Sequence, residues 1–269
     1  MKKKSIISVV LAGILALGLA GCGAKKTDDK TITIGVSPVP HKEIVEQIKP
    51  ILEKEGYKLE IKEFDDYELP NTAVQDGEID ANYFQHIAYL NTTNEKKNYD
   101  LTYTAEIHIE PMALYSTKVK NLNELKDGAT IGIPNDPSNE ARALRLLAKA
   151  GLIKVKDGEL ITIADVTENT KNIKFKELEA AQLPRTLDEL NGAVINGNYA
   201  LEAKLDATKD ALFTEDKNDE SIKNYRNILA VKKGNEDSEK IKALTKALTS
   251  DEVKKYITDT YKGAVVPVF

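Results

Sequence analysis

From Thr31 to Asn82 the chain alternates short apolar runs with segments of helical period, and that alternation leaves few folds open. Thr31–Val36 reads as a strand. Beyond Ser37-Pro38-Val39-Pro40, Ile44, Ile48, Ile51 and Leu52 recur at helical spacing from about His41 to Glu55, before Gly56. Pro50 falls inside that pattern and is expected to kink or shorten the helix. Leu59 and Ile61 begin a second strand, and the loop from Phe64 to Asn71 feeds another helix. Ile79 to Asn82 reads as a short buried strand entered from the turn at Asp76-Gly77. Strand, helix, strand, helix, strand is the opening of a parallel sheet with crossover helices.

The rest of the chain predicts a second α/β unit. Leu101 to Tyr115 reads as one long extended segment, with Leu101, Tyr103, Ala105, Ile107 and Ile109 alternating against polar neighbours. Fifteen extended residues reach about 50 Å, more than one small sheet needs, so this segment is expected to leave the first domain for the second. Thr130-Ile131-Gly132-Ile133 then echoes Thr33-Ile34-Gly35-Val36. Asp136 or Ser138 can cap the following helix, with Pro137 in its first turn. Ile173 to Phe175 and Gly192 to Ile195 read as further strands. Residues 208–224 are polar and charged, a short helix and an exposed loop. The strand Asn227 to Val231 is expected to return the chain to the first domain, where two helices (Ser238 to Thr249, Asp251 to Tyr261) end it. The resulting expectation is a two-lobed α/β fold with a ligand cleft between the lobes. One lobe comprises residues 31–115 and 227–269, and the other residues 116–226.

Candidate ligand-contacting side chains concentrate beyond strand ends, where open α/β sheets bind their ligands. Tyr83, Phe84, His86 and Tyr89 fall within seven residues. They could wall a pocket for an apolar side chain with a polarisable group, or simply fill the core. The four arginines are Arg142, Arg145, Arg185 and Arg226, and every other basic side chain except three histidines is lysine. Arginine is the better carboxylate fork. Arg142 lies in the early turns of a helix, where the dipole gives a cation no benefit. It reads either as part of a carboxylate site or as a surface arginine reaching back to Glu140 or another acid. Asn198 could meet both ends of a zwitterion, whereas Asn196-Gly197 reads better as a turn.

Formal charge is −5, which argues against non-specific nucleic-acid binding. Lys2-Lys3-Lys4, an apolar run from Ile6 to Leu19 and then Leu19-Ala20-Gly21-Cys22 have the form of a secretory signal, residues 1–21. Leu-Ala-Gly-Cys matches a bacterial lipobox, which implies cleavage before Cys22 and lipidation of that cysteine. Cys22 is the only cysteine, so no intramolecular disulfide can form. Residues 22–30 would then tether the folded body to the extracytoplasmic face of the cell membrane.

These residues together resemble the NlpA/MetQ family of methionine-binding lipoproteins, the substrate-binding components of bacterial ABC importers. The resemblance is carried by Phe64-x-Asp66-Tyr67, Leu69-Pro70-Asn71, Asp80-Ala81-Asn82-Tyr83-Phe84-Gln85-His86 and Ile109-Glu110-Pro111-Met112. It continues through Pro134-Asn135-Asp136-x-Ser138-Asn139-x-x-Arg142-Ala143-Leu144 and Asn198-Tyr199-Ala200. It implies a two-lobed binding-protein fold of type II. In it Tyr67, Phe84, His86 and Tyr89 enclose a thioether side chain, which packs well against aromatic edges. Arg142 would bind the α-carboxylate, with Asn198 and Asn227 holding the amino-acid head group. L-methionine, D-methionine and methionine dipeptides are all ligands of such proteins. The resemblance further implies an ABC permease and ATPase as partners; the chain is expected to be monomeric and to need no cofactor or metal. Arg226, before Asn227, and the polar loop ahead of it depart from the family pattern and are expected to bear on the placement of Asn227.

Of the histidines only His86 is expected in the site. His41 reads as a helix-start residue, and His108 as a strand residue facing away from the apolar side. The three are scattered, with no metal-ligand spacing. An extracytoplasmic hydrolase could share the two-lobed cleft, but the chain has no Gly-x-Ser-x-Gly elbow and no His-Glu-x-x-His motif. An adhesin or sensor built on the same ligand-bound fold is the other alternative.

Overall fold

The computed structural model describes residues 30–269; the signal sequence, Cys22 and nearly all of the tether lie outside the described residues. Among the described residues there are thirteen strands and seven α-helices; eleven of the strands form two principal sheets, and the other two pair with each other. The strands are β1 (Thr31–Val36), β2 (Lys58–Glu63), β3 (Ala81–Tyr83), β4 (Leu101–Ile109), β5 (Ala113–Tyr115), β6 (Thr130–Pro134), β7 (Lys154–Val155) and β8 (Val166–Glu168), followed by β9 (Lys174–Leu178), β10 (Gly192–Ile195), β11 (Ala211–Thr214), β12 (Arg226–Lys232) and β13 (Val266–Pro267). The helices are α1 (Glu43–Lys54), α2 (Leu69–Gln75), α3 (Ile87–Lys97), α4 (Pro137–Lys149), α5 (Gly197–Glu202), α6 (Glu239–Leu248) and α7 (Asp251–Tyr261).

The first sheet runs β13-β4-β12-β3-β1-β2. β1 pairs in parallel with both β2 and β3, as the opening alternation predicts. β12 returns from the second unit and inserts antiparallel between β3 and β4. The carboxyl-terminal helices then complete this lobe. Ile241, Leu244, Val253 and Ile257 pack with Ile44, Ile48 and Leu52 of α1 and with Ile32 and Ile34 of β1 in one core. The second sheet runs β11-β5-β10-β6-β9, with its own core around Ile131, Ile133, Leu144, Leu147 and Val194. The molecule is therefore the expected two-lobed α/β structure, with one sheet in each lobe.

The echo between the two TIG segments has a structural basis. β6, like β1, is paired in parallel on both sides, by β9 and β10. Their glycines are covered alike. A Cβ on Gly35 would stand 2.7 Å from Ile79 Cδ1 and 2.9 Å from Phe64; one on Gly132 would stand 2.7 Å from Leu190 Cδ1 and 2.9 Å from Leu183. In each lobe two apolar side chains close directly onto the central strand, which leaves no room for a side chain there.

Four expectations need correction. The first lobe does not extend to Tyr115: Ala113–Tyr115 pairs with β10 and β11 in the second sheet, so the chain crosses between Ile109 and Ala113. Pro50 does not shorten α1, which runs from Glu43 to Lys54 with the proline inside it. Pro50 and Glu46 are both exposed, so water can satisfy the carbonyl that the missing N–H leaves unbonded. Asn196-Gly197 is no free-standing turn: Asn196 is the N-cap of α5. Finally, the alternation in β4 does not track burial. Tyr103 is exposed while Ile107, His108 and Ile109 are all buried, because the β4–β12 register shifts twice and both faces of the strand's end are covered.

Candidate functional site

A cavity opens between the lobes, with about 330 Å³ free of protein atoms within it and at its mouth. Tyr67, Phe84, His86, Tyr89, Arg142, Asn198 and Asn227, the seven candidates named from the sequence, all line it. Gln85, Glu110, Asn139, Asn196 and Gly197 complete the wall.

The aromatic side is held by an amide network that the sequence does not announce. In the loop after β3, Gln85 Nε2 donates to Asn71 Oδ1 (2.5 Å) and Asn82 Oδ1 (3.0 Å). The Asn71 amide answers by donating to Gln85 Oε1 at 2.8 Å. Buried amides must be paired in this way, and the pairing turns Phe84 and His86 toward the cleft. Tyr67 stands 5.7 Å from Phe84 and 5.6 Å from Tyr89 between ring centroids, in tilted and edge-on arrangements. Tyr89 Oη donates to the Tyr67 carbonyl, and Tyr67 Oη donates across the cleft to Asn198 Oδ1 (2.5 Å).

His86 has two roles that fix its tautomer. It is the N-cap of α3, its Nδ1 accepting from the Tyr89 N–H at 3.1 Å. Nε2 therefore carries the proton and donates to Asn139 Oδ1 in the other lobe (3.1 Å). Burial and the nearby Arg142 cation push its pKa down to about 3. Asn139 is oriented in turn by the α4 N-cap: Asp136 accepts from the Asn139 backbone N–H (3.0 Å) and side-chain amide (2.9 Å). Asp136 was one of the two cap candidates in the sequence, and Pro137 occupies the first turn as expected.

Arg142 pairs with an acid other than Glu140, and does so buried rather than on the surface. Its Nε and Nη2 donate to the two carboxylate oxygens of Glu215 (2.9 and 2.6 Å), and Nη2 also donates to the Glu110 carbonyl (2.8 Å). Tyr225 covers the guanidinium face 4.4 Å from the ring centroid. Burial alone would lower the arginine's pKa, but Glu215, helped by Tyr225 and Glu110, raises it and keeps the group charged. Glu215, from the polar segment after β11, is buried and also accepts from the Met112 N–H. Nothing local in the sequence marks it, since it lies 73 residues from Arg142. Arg226 turns away, pairing with Glu106 at 2.6 Å, and is not part of the cavity wall.

The histidines hold the largest departure from expectation. His41 and His108 are both fully buried and meet at Glu110, on the crossing between the lobes. His108 Nε2 donates to Glu110 Oε1 at 2.6 Å, while Tyr83 Oη bonds His108 Nδ1. His41 Nε2 donates to Asn227 Oδ1 (3.0 Å) and lies 3.5 Å from Glu110 Oε1. Burial lowers His41 to about 4. Burial also raises Glu110, opposed by His41, Arg142 and the Asn198 N–H. The donor atoms of His41, His108 and Glu110 lie within 4.8 Å of one another, so the histidines are not scattered as the sequence suggests. His41 Nε2, both His108 nitrogens and Glu110 Oε1 are bonded to one another, to Tyr83 and to Asn227, while His41 Nδ1 is buried without a hydrogen-bond partner; of the three residues Glu110 reaches the cavity wall.

Two wall atoms find no hydrogen-bond partner within the protein: Asn196 Oδ1, an acceptor, and Asn198 Nδ2, a donor. Unpaired buried polar atoms are costly, and here both belong to residues facing the cavity.

The sequence pattern of the NlpA lipoprotein family matches residues 32–269. The chain belongs to the NlpA lipoprotein family. Among its relatives, the D-methionine-binding lipoprotein MetQ of Salmonella typhi is 41% identical over 269 residues, covering 98% of each chain. The methionine-binding lipoprotein MetQ of Bacillus subtilis is 40% identical and covers 97% of this chain and 96% of its own. A nutrient binding protein from Burkholderia cenocepacia, solved bound to methionine, superposes with a TM-score of 0.84 at 41% identity, over 88% of this chain and all of that one. NlpA-family membership accounts for the two-lobed architecture and for the motifs that converge on the cleft. The Glu110–histidine cluster and the Glu215 partner of Arg142 come from the structure.

Proposed function

We propose that this protein captures methionine, or a close derivative such as D-methionine or a methionine dipeptide, between its lobes and delivers it unchanged to an ABC permease and its ATPase. Lipidation at Cys22 would hold it at the extracytoplasmic face of the membrane, its folded body in water. The observation that carries this reading is the composition of one cavity: an aromatic wall of Tyr67, Phe84 and Tyr89 beside a charged, amide-lined floor with Arg142 and Glu110. The wall suits a thioether, and the floor supplies partners for a zwitterion that would otherwise be buried at great cost. Relatives named for methionine binding, and one solved with methionine, support the same ligand.

The test is thermal unfolding of the purified protein, refolded to strip bound ligand, against L-methionine, D-methionine, methionine dipeptides and the other common amino acids. A ligand at a thousandfold excess over its dissociation constant adds about 4 kcal/mol of stability. A shift confined to methionine compounds is expected; none with any of them would overturn the assignment.

A further inference from the structure

We propose that a second chamber beside the methionine cavity receives a positively charged end of the ligand side chain, so that the protein also captures sulfoniums, in which methionine's sulfur carries a further alkyl group. The inference rests on the methionine reading and adds to it a subsite and a class of substrate.

The chamber lies between the lobes, with about 690 Å³ free of protein atoms within it and at its mouth. Tyr67 and Tyr89 line both it and the first cavity, so it begins where the aromatic wall ends. Arg142, Asn198 and Asn227 line the first cavity and not the second. With the thioether packed on the aromatic wall, the chamber therefore lies beyond the sulfur and away from the head group.

Its walls suit a cation through both their rings and their charge. Tyr67 stands 5.7 Å from Phe84, 5.6 Å from Tyr89 and 5.0 Å from Tyr199 between centroids. Three of these rings, those of the tyrosines, line the chamber. Each tyrosine hydroxyl gives its hydrogen to the protein: Tyr89 to the Tyr67 carbonyl (3.0 Å), Tyr199 to the Asp65 carbonyl (3.2 Å) and Tyr67 to Asn198 Oδ1. What remains for a ligand is ring face and oxygen lone pair, and both attract positive charge.

The charge has one sign. Asp66, Glu68, Asp136 and Glu179 line the chamber, and no lysine or arginine does. Asp136 acts on all three tyrosines: burial raises the pKa of each phenol, and Asp136 is among the charges that raise it further. Its own hydrogen bonds come from neutral donors, Ser138 Oγ and the Asn139 backbone and side-chain amides. A sulfonium puts its positive charge on the atom that the rings surround and turns its added alkyl group into the chamber. A neutral thioether needs only the first cavity.

Calorimetric titration with L-methionine, S-methyl-L-methionine and L-homoleucine tests this directly. L-homoleucine has the shape of the sulfonium, with an uncharged CH in place of the sulfur. The unmodified protein is expected to bind S-methyl-L-methionine at least ~10-fold more tightly than L-homoleucine, the discrimination that a desolvated cation gains over ring faces. Asp136→Asn keeps a side chain able to cap α4 and removes the charge. It should lower that ratio by about threefold or more. Tyr199→Leu keeps an apolar wall and removes a ring, and should lower the ratio by about threefold. Both ligands close the same lobes, so a variant that merely loosens closure weakens the two alike and leaves the ratio unmoved. Equal affinity of the unmodified protein for the two compounds, or an unmoved ratio in the two variants, would overturn the inference. Binding of L-methionine without S-methyl-L-methionine would do the same and leave the methionine reading standing. No binding of any of the three would overturn the methionine reading itself, and this inference with it.

Discussion

Arg142 was legible as a functional candidate because arginine is rare in this chain, but its energetics are those of a pair. Glu215 accepts two of its N–H groups in a buried bidentate contact. Removing the arginine alone therefore strands a buried carboxylate, which costs ~3–5 kcal/mol. Arg142→Ala is expected to lose both methionine binding and that much stability, which confounds the two effects. Arg142→Met with Glu215→Met replaces the pair by apolar groups of similar volume. It should recover most of the stability in urea denaturation while methionine binding stays lost. Recovery of binding in the double variant would remove Arg142 from the ligand site. His86 yields a second prediction, with a defined sign. Its pKa falls from 6.5 to about 3 on folding, so the unfolded state takes up the proton first. The stability contributed by the neutral ring is complete above pH 6.5 and is lost as pH falls toward 3. By pH 5 the loss is about 2 kcal/mol. His86→Asn keeps a side chain suited to the N-cap of α3 and should flatten the pH 7 to pH 5 stability curve by about that amount. An unchanged slope would show that His86 is not held neutral.

At the scale of elements, most of the architecture could be read from local pattern. The strand–helix alternation, the capped start of α4 and the two final helices are all stated by periodicity and caps. What local pattern could not state is pairing across the chain. Glu215 finds Arg142 once β11 pairs with β5, and His41 finds Asn227, 186 residues away, once β12 returns between β3 and β4. His108 was misread because its strand shifts register twice, so side-chain alternation stopped reporting which face is buried. The TIG echo shows the opposite case, a short sequence likeness with a packing cause. Gly35→Ala and Gly132→Ala are each expected to cost about 1–3 kcal/mol, the usual penalty for overfilling a packed interior. Gly35→Ala with Ile79→Val removes the methyl that stands 2.7 Å from the added carbon, and should recover part of the loss in a double-mutant cycle. Strict additivity of the two substitutions would mean that Ile79 is not what excludes a side chain at position 35.

At the scale of the whole molecule, the lobes meet through polar contacts around the cavity. Tyr67 Oη donates to Asn198 Oδ1, Tyr199 Oη to the Asp65 carbonyl at 3.2 Å, and His86 Nε2 to Asn139 Oδ1. Each such bond contributes about 0.5–1.5 kcal/mol net, so the closed arrangement is stabilised by only a few kcal/mol unless a ligand adds its own contacts to both lobes. A hinged binding protein requires that balance: closure strong without ligand would hinder release, and closure weak with ligand would forfeit capture. Tyr67→Phe with Tyr199→Phe removes two of the links, from hydroxyls at the rim, and leaves the aromatic wall in place. Small-angle scattering of the ligand-free double variant should give a larger radius of gyration than the unmodified protein, and methionine should bring the two together. Its methionine affinity should fall by about ten- to a hundredfold, since part of the binding energy is now used to close the lobes. Identical scattering and identical affinity would mean that the lobes are held in register by the crossing segments alone, and that the tyrosine hydroxyls serve only to shape the wall.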